Sequence, residues 1–333
     1  MLTFGFWKSF RLVWLVLIVF GANVTWADEA DDLAAAVAAH IRERLPTGAQ
    51  PLAPEDQTRI GTFSRYIQKR FYFPTSSREM QTGAIASIDM KAADPAADAS
   101  ALTQAAVNGI VGSLGHGAQF LTTLGSDGPD GSGGVGPSSR QVGSLILVSL
   151  PNMNVTDANT AHTCADFVRQ FQVKTEGRIT GVVLDLRGNE GSSLTDSSCL
   201  AGLFLDKKTF LFQVRDKEGD LVKYESKPDS HIDMPAAVLI DNRTDKGGIL
   251  VAAVLQDQRR ATLIGEQKTN INGAVSSLVF PPGFHQALVL PTGEILLPKK
   301  QPLAAAVHVD VNMPANDEEA LLNAARTALA ERH

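Results

Sequence analysis

The stretch Gly181–Gly191 reads Gly-Val-Val-Leu-Asp-Leu-Arg-Gly-Asn-Glu-Gly. An apolar run ending in Asp185 and Arg187 and then in a glycine-containing turn predicts a buried strand feeding a tight loop. In an α/β fold such a loop presents backbone amides to a ligand. Asp185 and Arg187 can be read as cleft residues or, more simply, as an ion pair at a strand end. Gly191 and Gly247 are candidates for backbone N–H donors to a developing oxyanion. The plainer reading of Gly191 is a turn glycine.

Other chemistries leave no signature. The chain has no His-Glu-x-x-His, no P-loop and no Gly-x-Gly-x-x-Gly, so neither metal nor nucleotide cofactor is expected. No Gly-x-Ser-x-Gly elbow announces a Ser–His–Asp triad, although scattered histidines (His162, His231, His285, His308) leave one open. Cys164 and Cys199 lack a Cys-x-x-Cys partner, which argues against metal and redox roles. They are read either as a disulfide worth about 3–4 kcal/mol on the chain-entropy model or as two buried thiols.

The elements that must position these residues alternate. Residues 141–333 read as strands (144–150, 181–186, 209–214, 221–225, 236–240, 261–265, 275–280, 286–290, 294–297) with helices at 160–171, 196–204, 248–256 and 317–331. That pattern predicts an α/β, mixed α+β fold around a mixed, largely parallel sheet. Thr244 and Asp245 are expected to cap the nearly all-apolar helix 248–256. Lys246 opposes that helix's dipole and is expected to point to solvent, a nucleophilic lysine of depressed pKa being the alternative. Residues 28–122 read as helical, with helices at 33–45, 55–71 and 101–114. His116 is read as a helix-end histidine. The Gly/Ser/Pro stretch 123–140 reads as a flexible linker between domains.

The order of these pieces resembles the C-terminal processing (tail-specific) serine peptidases. Gly181–Gly191 resembles their Asp-Leu-Arg-x-Asn-x-Gly-Gly loop. Ala105–Leu121 resembles their N-terminal helical segment. Pro235–Asp257 resembles the strand and buried helix that carry the nucleophile. Arg260–Glu266 resembles the Arg-Ala-x-x-x-Gly-Glu strand before the catalytic lysine, and Pro291-Thr292-Gly293 resembles a Pro-x-Gly turn before the last strand. The resemblance implies a peptidase core, no cofactor, and a serine–lysine dyad.

The departures fall on that dyad. Counting back from Leu255-Gln256-Asp257 puts Lys246 at the nucleophile position. Asn272 falls at the base position and Ser276 at the orienting position, and Gly191-Ser192 replaces Gly-Gly. A hydroxyl must lie within reach of a neutral amine that takes its proton, and on this register neither partner is in place. Thr244 is the fallback nucleophile, Ser276 or Ser277 a further one, and Lys268 the nearby candidate base. The relatives' PDZ domain, which grips a substrate C-terminus by strand addition, has no room in 123–140. The expectation is a catalytically degenerate, peptidase-like protein that binds peptide or protein C-termini or an envelope partner; the alternative is an active serine-type peptidase with a rearranged site. Relatives also imply a homodimer through the N-terminal helices.

Length, charge and the N-terminus bound the rest. The 333 residues allow about two domains. The net charge of −6 argues against nucleic acid. Lys8 and Arg11, the apolar run 12–20 and Thr25-Trp26-Ala27 read as a signal peptide spanning 1–27, giving a periplasmic or secreted protein. An uncleaved inner-membrane anchor facing the periplasm is the alternative.

Overall fold

The computed structural model describes residues 24–121, 137–153, 168–169, 177–227, 231–268, 271–281 and 286–331, with side chains from residue 29. The chain divides into two compact units, Met1–Thr122 with Leu278–Leu290, and Thr123–Ser277 with Pro291–His333.

The first unit is helical. It contains α1 (Val24–Arg44), α2 (Pro54–Arg70), α3 (Ser77–Ala92), α4 (Ala99–Ser113) and a short strand β1 (Gln119–Leu121), which pairs antiparallel with residues 287–289. Val37, Ile41, Ile60, Phe63, Ile67, Met80, Ile88, Leu102 and Ile110 are fully buried at its centre. Two corrections apply to the sequence reading. The first helix starts at Val24 rather than residue 33; the added segment, Val-Thr-Trp-Ala-Asp-Glu-Ala-Asp-Asp, has no glycine or proline to stop it. The second is α3, absent from the three expected helices. Its Ser76 and Glu79 form a reciprocal capping box, so Ser-x-x-Glu was the available signal.

The second unit carries a six-stranded sheet of order β11-β8-β7-β4-β3-β2. In chain order the elements are β2 (Ser138–Val142), β3 (Leu145–Ser149), β4 (Gly181–Asp185), α5 (Leu194–Gly202), β5 (Phe210–Asp216), β6 (Leu221–Glu225), β7 (Ala236–Ile240), α6 (Lys246–Asp257) and β8 (Ala261–Gly265). They continue with β9 (Ala274–Val279), β10 (Ala287–Leu296), α7 (Leu303–Ala306), β11 (Val311–Asn312) and α8 (Glu318–Ala330). All neighbours in the six-stranded sheet are parallel except β2 with β3. The central strands β4 and β7 are buried along their whole length, as expected where helices cover both faces. One face packs on α5 and α6, and Leu321, Ala325 and Leu329 of α8 cover the other.

The class is therefore mixed α+β with a largely parallel sheet. Three local expectations change. Residues 138–140, read as linker, belong to the edge strand β2, whose ladder to β3 overrides a turn-rich composition. Helix 160–171 lies almost wholly outside the described residues. Pro291-Thr292-Gly293 does not turn: β10 runs straight through it, and Gly293 lies against β5 where an added Cβ would stand 2.8 Å from the Arg215 carbonyl.

Candidate functional site

Three adjacent parallel strands deliver their C-terminal loops to one place. β3 ends in 150–153, β4 in 186–193 and β7 in 241–245. Crevices at the carboxyl ends of such strands are where open α/β sheets bind ligands. The loops are laced by their own backbones. Met153 N donates to Glu190 O at 2.6 Å and Glu190 N to Pro151 O at 2.9 Å. The buried Asn189 donates Nδ2 to Leu150 O at 2.6 Å, while its Oδ1 has no hydrogen-bond partner among the described residues.

The start of α6 is held by the β4 loop. Asp245 N donates to Asn189 O at 2.7 Å, and Gly247 N donates to Gly191 O at 2.9 Å. These are the amides that a helix N-terminus would otherwise offer to an anion. The two oxyanion candidates, Gly191 (φ 104°) and Gly247, are thus bonded to each other, and the Gly247 amide is engaged. The fit is close: a Cβ on Gly247 would stand 3.0 Å from Gly191 O and 3.2 Å from Met153 Sδ.

Asp241 organises the turn before α6. It is buried and its carboxylate accepts from Gly188 N at 2.9 Å, Thr244 N at 2.8 Å, Thr244 Oγ1 at 3.0 Å and Arg243 Nε at 3.2 Å. Burial alone would raise its pKa, but these hydrogen bonds together hold it below the usual 3.8. Asp241 was missed by the sequence reading. The signal was Asp-Asn-Arg-Thr directly after an apolar strand, which is an Asx-turn composition.

The expected site residues separate accordingly. Thr244 is fully buried; its single O–H is shared between Leu186 O at 2.8 Å and the Asp241 carboxylate, and Oγ1 accepts from Asp241 N at 2.9 Å. It therefore does not cap the helix, and neither does the Asp245 side chain; α6 begins at Lys246, two residues earlier than expected. Lys246 does not point to solvent either. It is half-buried, and Nζ donates to Ala274 O at 2.6 Å, because β9 brings a carbonyl within its reach. Burial lowers its pKa from the ordinary 10.5, with Asp245 opposing.

Asn272 accepts from Ala274 N at 2.9 Å through Oδ1. Ser276 is exposed, and Ser277 Oγ lies 2.6 Å from Thr292 Oγ1. Lys268 Nζ donates to Thr244 O at 2.6 Å and Asn242 O at 3.1 Å. Lys246, Asn272 and Lys268 thus gather around the start of α6 through backbone carbonyls and amides, and no serine hydroxyl is hydrogen-bonded to either lysine among the described residues.

Asp185 and Arg187 form a bidentate pair, Nε to Oδ1 at 2.8 Å and Nη2 to Oδ2 at 2.6 Å. Arg187 Nη1 also donates to Ala315 O at 2.7 Å, which ties the β4 loop to the segment before α8. Cys199, on α5, is disulfide-bonded. Cys164, the other cysteine of the sequence, lies outside the described residues. Among the described residues no cluster of His, Cys, Asp and Glu could hold a metal ion.

Residues 144–313 match Peptidase family S41. A carboxy-terminal-processing protease of Bartonella bacilliformis is 31% identical over 153 residues, covering 45% of this chain and 33% of that protein. A carboxyl-terminal-processing protease of Synechocystis is 35% identical over 98 residues, covering 29% and 22%. The matched stretch therefore spans a third or less of these relatives' own length. Among solved structures, a lipoprotein from Streptococcus agalactiae superposes with a TM-score of 0.64 at 15% identity, covering 86% of this chain and all of that one, a likeness of fold alone.

Proposed function

The chain belongs to Peptidase family S41, that of the C-terminal processing proteases, and we propose that it is an exported member that has lost the dyad and acts by binding a peptide or a partner protein. One observation carries this reading. The first residue of α6, where the resemblance puts the nucleophile, is Lys246, and its amine is hydrogen-bonded to Ala274 O. Asn272, at the base position, is neutral at ordinary pH, and its Oδ1 accepts from Ala274 N. The Gly247 amide already has an acceptor in Gly191 O. On this register hydroxyl and base are replaced and the Gly247 amide is occupied, while the strand-end loops after β3, β4 and β7 remain. Binding needs only that surface; hydrolysis needs all three groups.

Export is supported by the N-terminal pattern and by Cys199, since disulfides persist in oxidising compartments. The expected cleavage after Ala27 falls within α1, and the first buried residue among its described side chains is Ala30. Among the described residues no helix is long and apolar enough to cross a membrane; the apolar run 12–20 lies outside them.

A second reading keeps activity. Ser276 is exposed and stands two residues beyond the carbonyl that holds Lys246. A modest movement of that strand end would bring a serine hydroxyl, from the orienting position, towards the Lys246 amine.

The test is incubation of the purified protein with an unstructured protein bearing an apolar C-terminus, beside a serine-reactive phosphonate probe. The binding reading expects no cleavage and no labelling from folded protein. Cleavage abolished by Ser276→Ala or Lys246→Ala overturns it in favour of the second reading.

A further inference from the structure

The five-stranded sheet is open along β6, which stands last in its strand order and pairs only with β5 among the described residues. The direction of its backbone groups follows from its two ends. Asp216 N donates to Asp220 O at 3.1 Å, Ser226 N to Thr209 O at 2.9 Å and Lys208 N to Ser226 O at 2.9 Å. Positions 220 and 226 thus face β5, and by the alternation of an antiparallel ladder so do 222 and 224. The amides and carbonyls of Leu221, Lys223 and Glu225 therefore point outward. Apolar side chains accompany them. Leu221 and Val222 are 47% and 58% exposed, and the half-buried Tyr224 is stacked on Phe212 with ring centroids 4.5 Å apart. An exposed apolar edge is a template for pairing with another strand.

We propose that β6 docks antiparallel on the β6 of a second copy of this chain, with the two-fold axis at Tyr224. Backbone and charge together fix this register. Outward-pointing groups must meet outward-pointing groups, so the axis of a two-fold pair passes through a residue and not between two. An axis at Lys223 would set that lysine against its own copy, and like charges directly opposite are destabilising. An axis at Val222 would set Lys223 against the partner's Leu221 and leave Glu225 opposite the turn at the partner's Gly219, so neither charge is matched. An axis at Tyr224 sets Lys223 against the partner's Glu225, and by symmetry Glu225 against the partner's Lys223. Both charged residues are exposed and sit on the same face of the strand. On the other face the two Tyr224 rings meet, and each Val222 lies diagonal to the partner's Tyr224, so the apolar strip continues across the axis. This self-complementary spacing of Lys223 and Glu225 is what makes a second copy, rather than an unrelated peptide, the occupant.

The experiment is sedimentation velocity of the purified protein over a concentration series, for the wild type, Lys223→Glu, Glu225→Lys and the double exchange. So short a ladder predicts a dimer that dissociates on dilution. Each single substitution turns two opposite-charge pairs into two like-charge pairs and should weaken the dimer about tenfold or more; the double exchange should restore it. A monomer at every concentration overturns the proposal. So does a dimer that ignores the single substitutions, or a double exchange as weak as either. Tyr224→Cys reads the register itself. Its sulfurs would meet across the axis, where Cα atoms of a non-hydrogen-bonded pair stand about 4.5 Å apart, within the range of a disulfide. Val222→Cys would face the partner's Ser226 and should not bridge; bridging by Val222→Cys in place of Tyr224→Cys also overturns the proposal. Peptide cleavage would end the binding reading of the peptidase site and leave this interface untouched, so the two can fail separately.

Discussion

At the scale of single residues, buried charge around the two helix starts is the dominant theme. Asp241 is buried with a full set of donors, and its pKa falls. Asp196, in the first turn of α5, is buried with Oδ2 unpartnered among the described residues, and desolvation raises its pKa above 3.8. Between 3.8 and that raised value the folded state holds more protons than the unfolded chain. Stability therefore falls as pH rises through this window, and the cost is fully present at neutral pH. The helix dipole works the other way, by at most about 1 kcal/mol for an acid in a first turn. Asp196→Asn is accordingly expected to raise stability by about 1 kcal/mol at pH 7, a tenfold change in proton affinity being worth about 1.4 kcal/mol. The gain should vanish below pH 3.8. Denaturant titrations at pH 7 and pH 3.5 check this, and a loss at pH 7 would mean that the dipole outweighs burial.

At the scale of elements, α3 and α4 show how close packing restricts sequence. A Cβ on Gly109 would stand 2.1 Å from the Gly83 carbonyl, and one on Gly83 2.3 Å from the Gly109 carbonyl. Backbone is the obstacle on both sides, so no side chain can yield. Replacing a mid-helix glycine by alanine normally gains about 1 kcal/mol, while overpacking costs about 1–3 kcal/mol or more. Gly109→Ala should therefore destabilise by about 2 kcal/mol. Gly112, three residues on in α4, has nothing within 4 Å of its Cβ position, so Gly112→Ala should stabilise by up to about 1 kcal/mol. Thermal unfolding of the two variants side by side separates packing from propensity, because both remove one glycine from one helix. The same comparison explains a limit of sequence reading: the two glycines look alike in the chain, and only the neighbouring helix distinguishes them.

At the scale of the whole molecule, the covalent link bears on where the protein lives. Cys199 is disulfide-bonded, and the sequence offers Cys164 as its partner. Closing that loop is worth about 3–4 kcal/mol. Non-reduced protein should titrate with no free thiol, and reduction should lower its unfolding free energy by about that amount. Two titratable thiols in protein isolated from its native compartment would argue against export.

The sequence by itself determined the large features. All-apolar runs such as 181–184 and 236–240 can sit only inside a covered sheet, and alternation of such runs with helices dictates a largely parallel order. The assignment of Lys246 and Asn272 to the two positions of the serine–lysine pattern rests on resemblance alone. What the sequence could not give was where those side chains go. Lys246 has the sequence context of a side chain that leaves a helix end for solvent, yet a carbonyl on β9, 28 positions along the chain, holds it half-buried. Thr244 and Asp245 have the composition of helix caps, yet Thr244 is drawn to Asp241 and Leu186 O, while backbone carbonyls of the β4 loop take the helix amides. Side-chain type and spacing encode local preference. Which backbone group a nitrogen can reach is set by loops from three strands meeting, and only the tertiary structure decides it.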